Sequence, residues 1–357
     1  MKREALLYEK NKDKSARCFL CAHRCVIANN KFGLCGVRQN VGGVLYAHTY
    51  ARAAAVQIDP VEKKPLYHFI PGHLSFSVAA AGCNFRCGFC QNWQISQASL
   101  VKQEQSSSGT VPVLPVLPGE TLLPQEIVRL AVENKCRSIS YTYTEPTVFF
   151  EYALDTAELA KEKGLRNIFV TNGYMTKEAL LVIKPYLDAA NIDLKFFKES
   201  SYKRICAGAL GPVQDSIRLM HELGIWVEIT TLIVPGENDS EIELRDIAEF
   251  IASINKGIPW HISRFHPMYK FKGKSPTPQE SLKKAYELAA AAGLKYVYIG
   301  NLDGLGSDTR CHNCKKLLIK REGFSVLENN IKTGGCPYCG AEIPGVFDTF
   351  DGIQAPA

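Results

Sequence analysis

The sequence predicts an α/β fold built on a parallel sheet. Between about Leu74 and Asn301, short apolar runs alternate with longer amphipathic stretches, the pattern of repeated βα units. Six such units suit a partial, TIM-like (βα)₆ barrel. Residues 1–50 carry a cysteine cluster and few periodic signals, and four more cysteines follow the barrel. The predicted domains are therefore 1–50, 51–305 and 306–357.

The predicted strands are apolar runs of six to nine residues. They are Leu74–Ala81, Ser138–Glu145, Asn167–Asn172, Ala190–Phe196, Trp226–Val234, Trp260–His266 and Tyr296–Asn301. Helices are predicted where amphipathic stretches begin with Pro or Ser and end near Gly. These are Pro124–Lys135, Pro146–Lys163, Ser240–Ile254 and Ser281–Ala292. The Pro- and Ser-rich segment Ser106–Pro118 is interpreted as an extended insertion.

Composition indicates an ordinary globular protein in a reducing compartment. Hydrophobic residues make up 46% of the 357 residues, and the net charge is +6, with scattered basic residues. The basic N-terminal stretch is interpreted as a solvated terminus, and a nucleic-acid-binding arm is the weaker alternative. No apolar run approaches the ~20 residues of a membrane helix, and the first 17 residues lack a signal-peptide core. Eleven of the 13 cysteines fall into three metal-like clusters, which argues against disulfides. We therefore expect a cytoplasmic, metal-loaded protein that does not bind membranes.

The central cluster, Cys83-Asn-Phe-Arg-Cys87-Gly-Phe-Cys90, directly follows the first predicted strand. A cubane [4Fe–4S] cluster takes one thiolate on each of four irons, so three cysteines leave one iron open for another ligand. A structural zinc site needs four ligands, and neither a histidine nor a fourth cysteine lies between Ser75 and Leu130. The carboxyl end of a strand is also where parallel barrels place their active sites. The motif therefore predicts an open-iron [4Fe–4S] cluster.

This motif resembles the signature of radical S-adenosylmethionine (SAM) enzymes, in which SAM chelates the open iron. The longer string Gly82-Cys-Asn-Phe-Arg-Cys-Gly-Phe-Cys-Gln-Asn-Trp93 is similar to pyruvate formate-lyase activating-type enzymes. With Asp59-Pro-Val-Glu-Lys-Lys-Pro-Leu-Tyr-His-Phe69 and Tyr141-Thr-Tyr-Thr-Glu-Pro146, the chain is identified as a member of the AmmeMemoRadiSam radical SAM family. The resemblance runs from Cys18 to about Phe347.

The resemblance implies reductive cleavage of SAM to a 5′-deoxyadenosyl radical, which abstracts hydrogen from a protein or small-molecule substrate. A Memo-like or AMMECR-like protein is the implied partner, with flavodoxin or ferredoxin as electron donor. A glycyl-radical activase is an alternative with the same chemistry. A non-catalytic metal-ribbon scaffold or nucleic-acid binder is an alternative from another class.

The resemblance also suggests SAM-binding residues near the predicted strand ends. Phe89 is expected against adenine or, equally, packed inside the loop. Glu145 is expected to bind the SAM ammonium, although Tyr-Thr-Glu-Pro replaces the usual Gly-Gly-Glu and a helix-terminal charge is the alternative. Thr171 and Asn172 are expected at the ribose or methionine, although Val170 replaces the activases' aspartate.

Three further candidates lie on later strands. Asp193-Leu-Lys195 matches the activases' Asp-Leu-Lys, and strand alternation puts both charges on one face. Lys195 is expected to bind the SAM carboxylate, the alternative being a buried ion pair with Asp193. His266 falls where the activases have a ligand-side histidine, and a core histidine is the alternative.

The two outer clusters predict separate metal sites. Cys311-x₂-Cys314-x₂₁-Cys336-x₂-Cys339 is typical of a zinc ribbon or rubredoxin-like module, and zinc is preferred to iron. Cys18-x₂-Cys21-x₃-Cys25-x₉-Cys35 is compatible with zinc or an auxiliary iron–sulfur cluster. Zinc is the preferred interpretation there because the segment resembles a small metal-stapled knuckle.

Overall fold

The computed structural model describes residues 1–98, 117–302 and 306–347. Its central element is an eight-stranded sheet whose strands lie side by side in chain order. The strands are β1 Ala55–Pro60, β2 Leu74–Ala79, β3 Ser138–Tyr141, β4 Arg166–Thr171, β5 Ala189–Asp193, β6 Trp226–Ile233, β7 Trp260–Arg264 and β8 Val297–Gly300. The predicted insertion lies almost wholly outside the described residues.

Strands β2 to β8 are all parallel, and only β1 runs antiparallel, against β2. The carboxyl ends of the seven parallel strands consequently meet at one edge of the sheet. The loops that carry the central cysteines and the other candidate residues all leave from that edge. Sheet topology therefore brings together segments nearly two hundred residues apart in sequence.

Helices connect the parallel strands. The longer ones are Pro124–Glu133, Phe150–Glu162, Lys177–Ile183, Leu210–Glu222, Glu241–Ile254 and Gln279–Ala291. Their start signals are local: the Ser240 hydroxyl accepts a hydrogen bond from the Glu243 N–H at 3.4 Å, and Thr176 caps its helix in the same way. Short helical turns occur at Val61–Lys63, Trp93–Ser96, Pro146–Phe149, Glu199–Ser201, Tyr202–Cys206 and Tyr269–Phe271.

All seven predicted strands are confirmed, as are the four predicted helices, with different ends. Strand β3 stops at Tyr141 instead of Glu145, because Glu145 turns away to cap the helical turn that begins at Pro146. Strand β5 stops at Asp193 instead of Phe196. The prediction missed β1, whose exposed residues Gln57 and Ile58 hide the usual apolar pattern of a strand.

The first 50 residues form two small antiparallel sheets. One pairs Arg3–Glu4 and Arg38–Val41 with Val44–Ala47, and the other pairs Tyr8–Lys10 and Val26–Ile27 with Ala16–Cys18. A further pair joins Arg52–Ala53 to Glu120–Thr121. The Arg38 guanidinium pairs with the Glu151 carboxylate at 2.6 Å, both side chains being 2% exposed, which ties this segment to the helix after β3.

The C-terminal segment forms a three-stranded sheet of Thr309–Arg310, Leu317–Glu322 and Ser325–Asn329. It packs on residues 61–73, next to the amino-terminal end of β2 and away from the cysteine loop. The buried Arg321 guanidinium donates to the Tyr67 carbonyl at 2.8 Å, and His68 contacts the Pro344 carbonyl at 2.6 Å. Within the described ranges, no helix combines the length and apolar character needed to cross a bilayer.

Candidate active site

The three central cysteines lie on the loop that leaves the carboxyl end of β2. Gly82 begins this loop with φ +97°, and a Cβ atom there would lie only 2.6 Å from Cγ1 of Val37, so a glycine is required. Cys87 is buried, while Cys83 and Cys90 are partly exposed. The loop therefore presents three thiols at the sheet edge predicted for the site.

Neighbouring loops hold the cysteine loop through its backbone. The Arg86 N–H donates to the Cys206 carbonyl at 2.8 Å, and the Lys270 N–H donates to the Gly88 carbonyl at 3.0 Å. The Asn92 amide donates to the Tyr143 carbonyl at 2.7 Å. The loops after β3, β5 and β7 thus fix the positions of the thiols.

The spacing of the three thiols suits a cluster better than a single ion. Two sulfurs bound to one Zn²⁺ at about 2.3 Å each lie no more than about 4.6 Å apart. Over residues 1–98, 117–302 and 306–347, the C-terminal cysteines form a group of single-ion size, with ligand atoms within 4.8 Å of one another, and Cys83, Cys87 and Cys90 do not form such a group. Nearby, the buried Nδ2 of Asn84 has no hydrogen-bond partner among the described residues. A cubane with sulfide acceptors fits both observations.

Cys206 is a member of the site that the sequence did not reveal. Its Sγ lies 3.5 Å from Sγ of Cys87, and it ends the single π-helical turn Tyr202–Cys206 after β5. The hydrogen bond with Cys206, together with burial, raises the pKa of Cys87 well above its usual range. No spacing signal could have linked thiols 119 positions apart.

Lys195 and Asp193 form an ion pair at the end of β5. The Lys195 Nζ lies 2.7 Å from Oδ2 of Asp193, and their side chains are 14% and 34% exposed. Although burial opposes it, the negative charge of Asp193 raises the pKa of Lys195. The predicted alternative of an ion pair is therefore present, and the exposed fraction of Asp193 leaves it open to a ligand.

Glu145 is 1% exposed and connects two strand ends. Its Oε1 accepts hydrogen bonds from the Thr147 N–H at 3.0 Å and the Thr171 hydroxyl at 2.8 Å, and its Oε2 accepts from the Asn172 N–H at 2.8 Å. Burial raises the pKa of Glu145, and these hydrogen bonds oppose the shift without cancelling it. The geometry matches the helix-capping alternative, with the carboxylate already occupied by protein donors.

The Asn172 side chain reaches the cysteine loop. Its Nδ2 lies 2.7 Å from Oδ1 of Asn84 and 3.9 Å from Sγ of Cys83. Together with the Asn172 N–H bond to Glu145, this contact makes the end of β4 a direct support of the loop. Thr171, in contrast, is turned toward Glu145.

Phe89 is 5% exposed and lies in an aromatic group. Its ring centroid is 6.0 Å from those of Phe196 and Phe271, and Nζ of Lys195 lies 5.9 Å from it. These contacts match the alternative in which the Phe89 ring packs inside the loop. The ring also lies beside the ion pair.

His266 is exposed and lines an open cavity of about 500 Å³. Gln91, the residue after Cys90, lines the same cavity, together with Arg264 and Asn301. His266 is therefore not a buried core histidine, which was the alternative interpretation of the sequence. The cavity joins the cysteine loop to the ends of β7 and β8.

The C-terminal cysteines converge on one point. Sγ of Cys311 lies 3.6 Å from that of Cys339, Sγ of Cys314 lies 3.7 Å from that of Cys336, and all four sulfurs lie within 4.8 Å of one another. A hydrogen bond from the Ala341 backbone lowers the pKa of Cys339 to about 6. The group fits one tetrahedral metal ion.

An α/β fold with three cysteines at the carboxyl end of a parallel strand is the arrangement that the sequence predicted for an iron–sulfur site, and the comparison with known families agrees at the level of the superfamily. The sequence matches the radical SAM superfamily over residues 78–251. This chain therefore carries a radical SAM domain, and the predicted radical SAM resemblance is confirmed at that level.

Two relatives and one solved structure illustrate the similarity. A protein of uncharacterised function from Methanocaldococcus jannaschii is 44% identical over 345 residues, which cover 96% of this chain and 98% of the relative. The pyruvate formate-lyase-activating enzyme of Clostridium pasteurianum is 22% identical over 57% of this chain and 84% of its own length. A domain of the corresponding enzyme from Bacteroides vulgatus is 19% identical with a TM-score of 0.42, over 46% of this chain and 99% of that domain.

Proposed function

We propose that this chain reductively cleaves SAM and uses the resulting radical to modify a protein or small-molecule substrate within the AmmeMemoRadiSam system. The observation that carries the proposal is that Cys83, Cys87 and Cys90 lie on the loop at the carboxyl end of β2, held beside the ends of the neighbouring parallel strands. A [4Fe–4S] cluster bound there would supply the electron that splits SAM into methionine and a 5′-deoxyadenosyl radical.

The residues of the chain would hold and orient SAM. The Lys195 ammonium would donate to the SAM carboxylate, because a charged N–H beside a partly exposed ion pair can exchange partners. Asp193 would accept a hydrogen bond from the SAM ammonium. Glu145 is less suited to this role, because its carboxylate already accepts hydrogen bonds from the Thr147 and Asn172 N–H groups. Asn172 would position the cysteine loop, and Thr171 would hold the Glu145 carboxylate. Phe89 would lie beside the adenine, and His266 would face the cavity.

The open cavity supports a substrate that approaches from solvent. Its size of about 500 Å³ is within the range of small-ligand sites and also admits one side chain of a partner protein. A Memo-like or AMMECR-like protein, or a molecule bound to it, remains the proposed substrate. A flavodoxin- or ferredoxin-type donor would supply the electron.

The finer architecture is part of the same proposal. We take the sheet as a partial (βα)₆ barrel and the C-terminal four-cysteine group as a zinc ribbon that holds one Zn²⁺. The ribbon packs at the opposite end of β2 from the cysteine loop, so a structural or docking role suits it better than a catalytic one.

Anaerobic reconstitution with iron and sulfide tests SAM cleavage. The protein is mixed with dithionite and SAM, and 5′-deoxyadenosine is measured by chromatography and mass spectrometry. Cys87→Ala should reduce its formation by at least about 100-fold, because one iron loses its thiolate. Cys136→Ala, which removes a buried thiol outside the three clusters, is the matched control and should retain it. Wild-type protein that assembles a cluster and releases no 5′-deoxyadenosine would refute the proposal.

A second candidate is a glycyl-radical activase. The similarity to the Clostridium pasteurianum activating enzyme favours it, while Val170 in place of the activases' aspartate argues against it. Incubation with a candidate partner enzyme, SAM and dithionite would separate the two. A glycyl-radical doublet in the electron paramagnetic resonance (EPR) spectrum of the partner favours the activase.

A further inference from the structure

The four N-terminal cysteines surround a common internal cavity. Cys18, Cys21, Cys25 and Cys35 all line it, together with the buried Arg38. Cys18 is buried and the other three are partly exposed. The two small sheets of residues 1–50 thus enclose a thiol-lined space.

The N-terminal sulfurs do not form a group of single-ion size in the described structure. Four thiolates on one Zn²⁺ at about 2.3 Å lie within about 4.6 Å of one another, as the C-terminal group does within 4.8 Å. Within the described ranges, which include all of residues 1–50, no three of the N-terminal sulfurs meet that spacing. Cys83, Cys87 and Cys90 do not form such a group either in the described structure. A cubane, which places each thiolate on a different iron, suits such a set.

Arg38 provides a second, independent observation. Its guanidinium is 2% exposed, and its Nη2 donates to Glu151, but its Nε and Nη1 have no hydrogen-bond partner in the described structure. Buried N–H groups without an acceptor are costly. Since Arg38 lines the cavity, the sulfides or thiolates of an anionic cluster would be acceptors for these groups.

The cavity adjoins the catalytic cysteine loop. His23, which lines the cavity, contacts the Asn84 carbonyl through its Nε2 at 2.8 Å. The Arg86 guanidinium donates to the carbonyl of Leu34, the residue before Cys35. The two cysteine segments are therefore in direct contact through residues next to their thiols.

We propose that Cys18, Cys21, Cys25 and Cys35 bind a second [4Fe–4S] cluster, next to the one assigned to SAM cleavage. All four thiolates occupy irons, so this cluster has no iron open to SAM. The proposal replaces the zinc that the sequence favoured at these residues. It does not depend on SAM being cleaved.

Metal analysis of the full-length chain after anaerobic reconstitution tests the proposal. Wild-type protein should contain about eight irons and eight sulfides, four for each cluster, with zinc confined to the C-terminal group. The double variant Cys21→Ala/Cys25→Ala should lose about half the iron and keep its zinc. The control Cys136→Ala should match wild type. Zinc, instead of iron, lost in the double variant would overturn the proposal.

A second variant covers the case in which the double variant does not fold. Replacing Cys83, Cys87 and Cys90 by Ala leaves the N-terminal segment intact, so about four irons and the EPR signal of one reduced cluster should remain. An iron-free triple variant with additional bound zinc would overturn the second cluster. This iron measurement needs no SAM. Absence of the second cluster can therefore be distinguished from failure of the proposed function, which would appear as missing 5′-deoxyadenosine in the wild-type protein.

Discussion

The sulfur of Cys206 lies 3.5 Å from the sulfur of Cys87, although 119 positions separate them in the chain. Two ligands of one cubane lie on different irons, so thiols this close do not both serve as terminal ligands in this arrangement. The contact instead gives the site a neighbouring thiol with which Cys87 can be oxidised.

We expect the cluster-free protein to form a Cys87–Cys206 disulfide when treated with diamide, which accepts the two electrons and two protons released. The bond would remove one cluster ligand, so iron incorporation at the catalytic loop should fall until a thiol reductant is added. Peptide mass spectrometry detects the cross-link. Cys206→Ala should bind iron normally and resist diamide. Loss of iron in reduced Cys206→Ala would instead identify Cys206 as a ligand.

Replacing Lys195 tests SAM binding. Lys195→Gln should weaken SAM binding by about 10- to 100-fold, since a hydrogen bond to a charged group contributes about 1.5–3 kcal/mol. Equilibrium dialysis under anaerobic conditions measures the affinity, and the iron content should not change. Lys203→Gln, at a lysine whose side chain is 70% exposed, is the matched control. Equal SAM affinity in the two variants would assign Lys195 to a structural ion pair only.

Gly88 is expected to be intolerant of a side chain. A Cβ there would lie 2.7 Å from Cε1 of Phe271, so Gly88→Ala should destabilise the protein by about 1–3 kcal/mol and lower its iron content. Gly273→Ala, with no atom within 4 Å of its added Cβ, shares the entropic effect of the change and serves as control.

A double-mutant cycle separates the Gly88 clash from other effects. In Gly88→Ala/Phe271→Ala the ring is gone, so the cost of the added methyl group should largely disappear. Thermal unfolding and iron content measure both variants. If the two substitutions were simply additive, the ring would not be what excludes a side chain from position 88.

Buried His73 should make stability depend on pH. Burial lowers its pKa to about 4, and its ring contacts the Ile70 carbonyl at 2.6 Å and the Ser138 hydroxyl at 2.8 Å. Between pH 6.5 and 4.5 the unfolded chain binds a proton there and the folded chain does not, so stability falls as pH falls. The loss from this group is about 2 kcal/mol.

His73→Gln should therefore lose about 2 kcal/mol less than wild type over that pH range. Denaturant unfolding at several pH values measures the difference. His221→Gln, at a partly exposed histidine, should retain the wild-type slope. Parallel curves for wild type and His73→Gln would show that the ring is protonated in the folded protein.

Much of the fold was predictable because periodicity and strand composition act locally. The runs at β2 and β6 are apolar and buried, and their assignments needed only neighbouring residues. The end of β3 was not predictable, since Glu145 leaves the strand to accept hydrogen bonds from Thr171 and Asn172, more than 25 positions later. The edge strand β1 was missed because its exposed residues do not show the apolar pattern by which a strand is recognised locally.

The cysteine spacing of the central motif and the two Cys-x₂-Cys pairs of the tail were enough to predict, from the sequence alone, a radical SAM domain and a C-terminal four-cysteine group. Those signals are short-range and chemical. Only the tertiary structure decided that Cys206 meets Cys87, that Lys195 pairs with Asp193, and that the N-terminal cysteine segment lies against the central cysteine loop. Parallel strands bring distant chain segments to one sheet edge, and the distances between sulfurs exist only once the chain has folded.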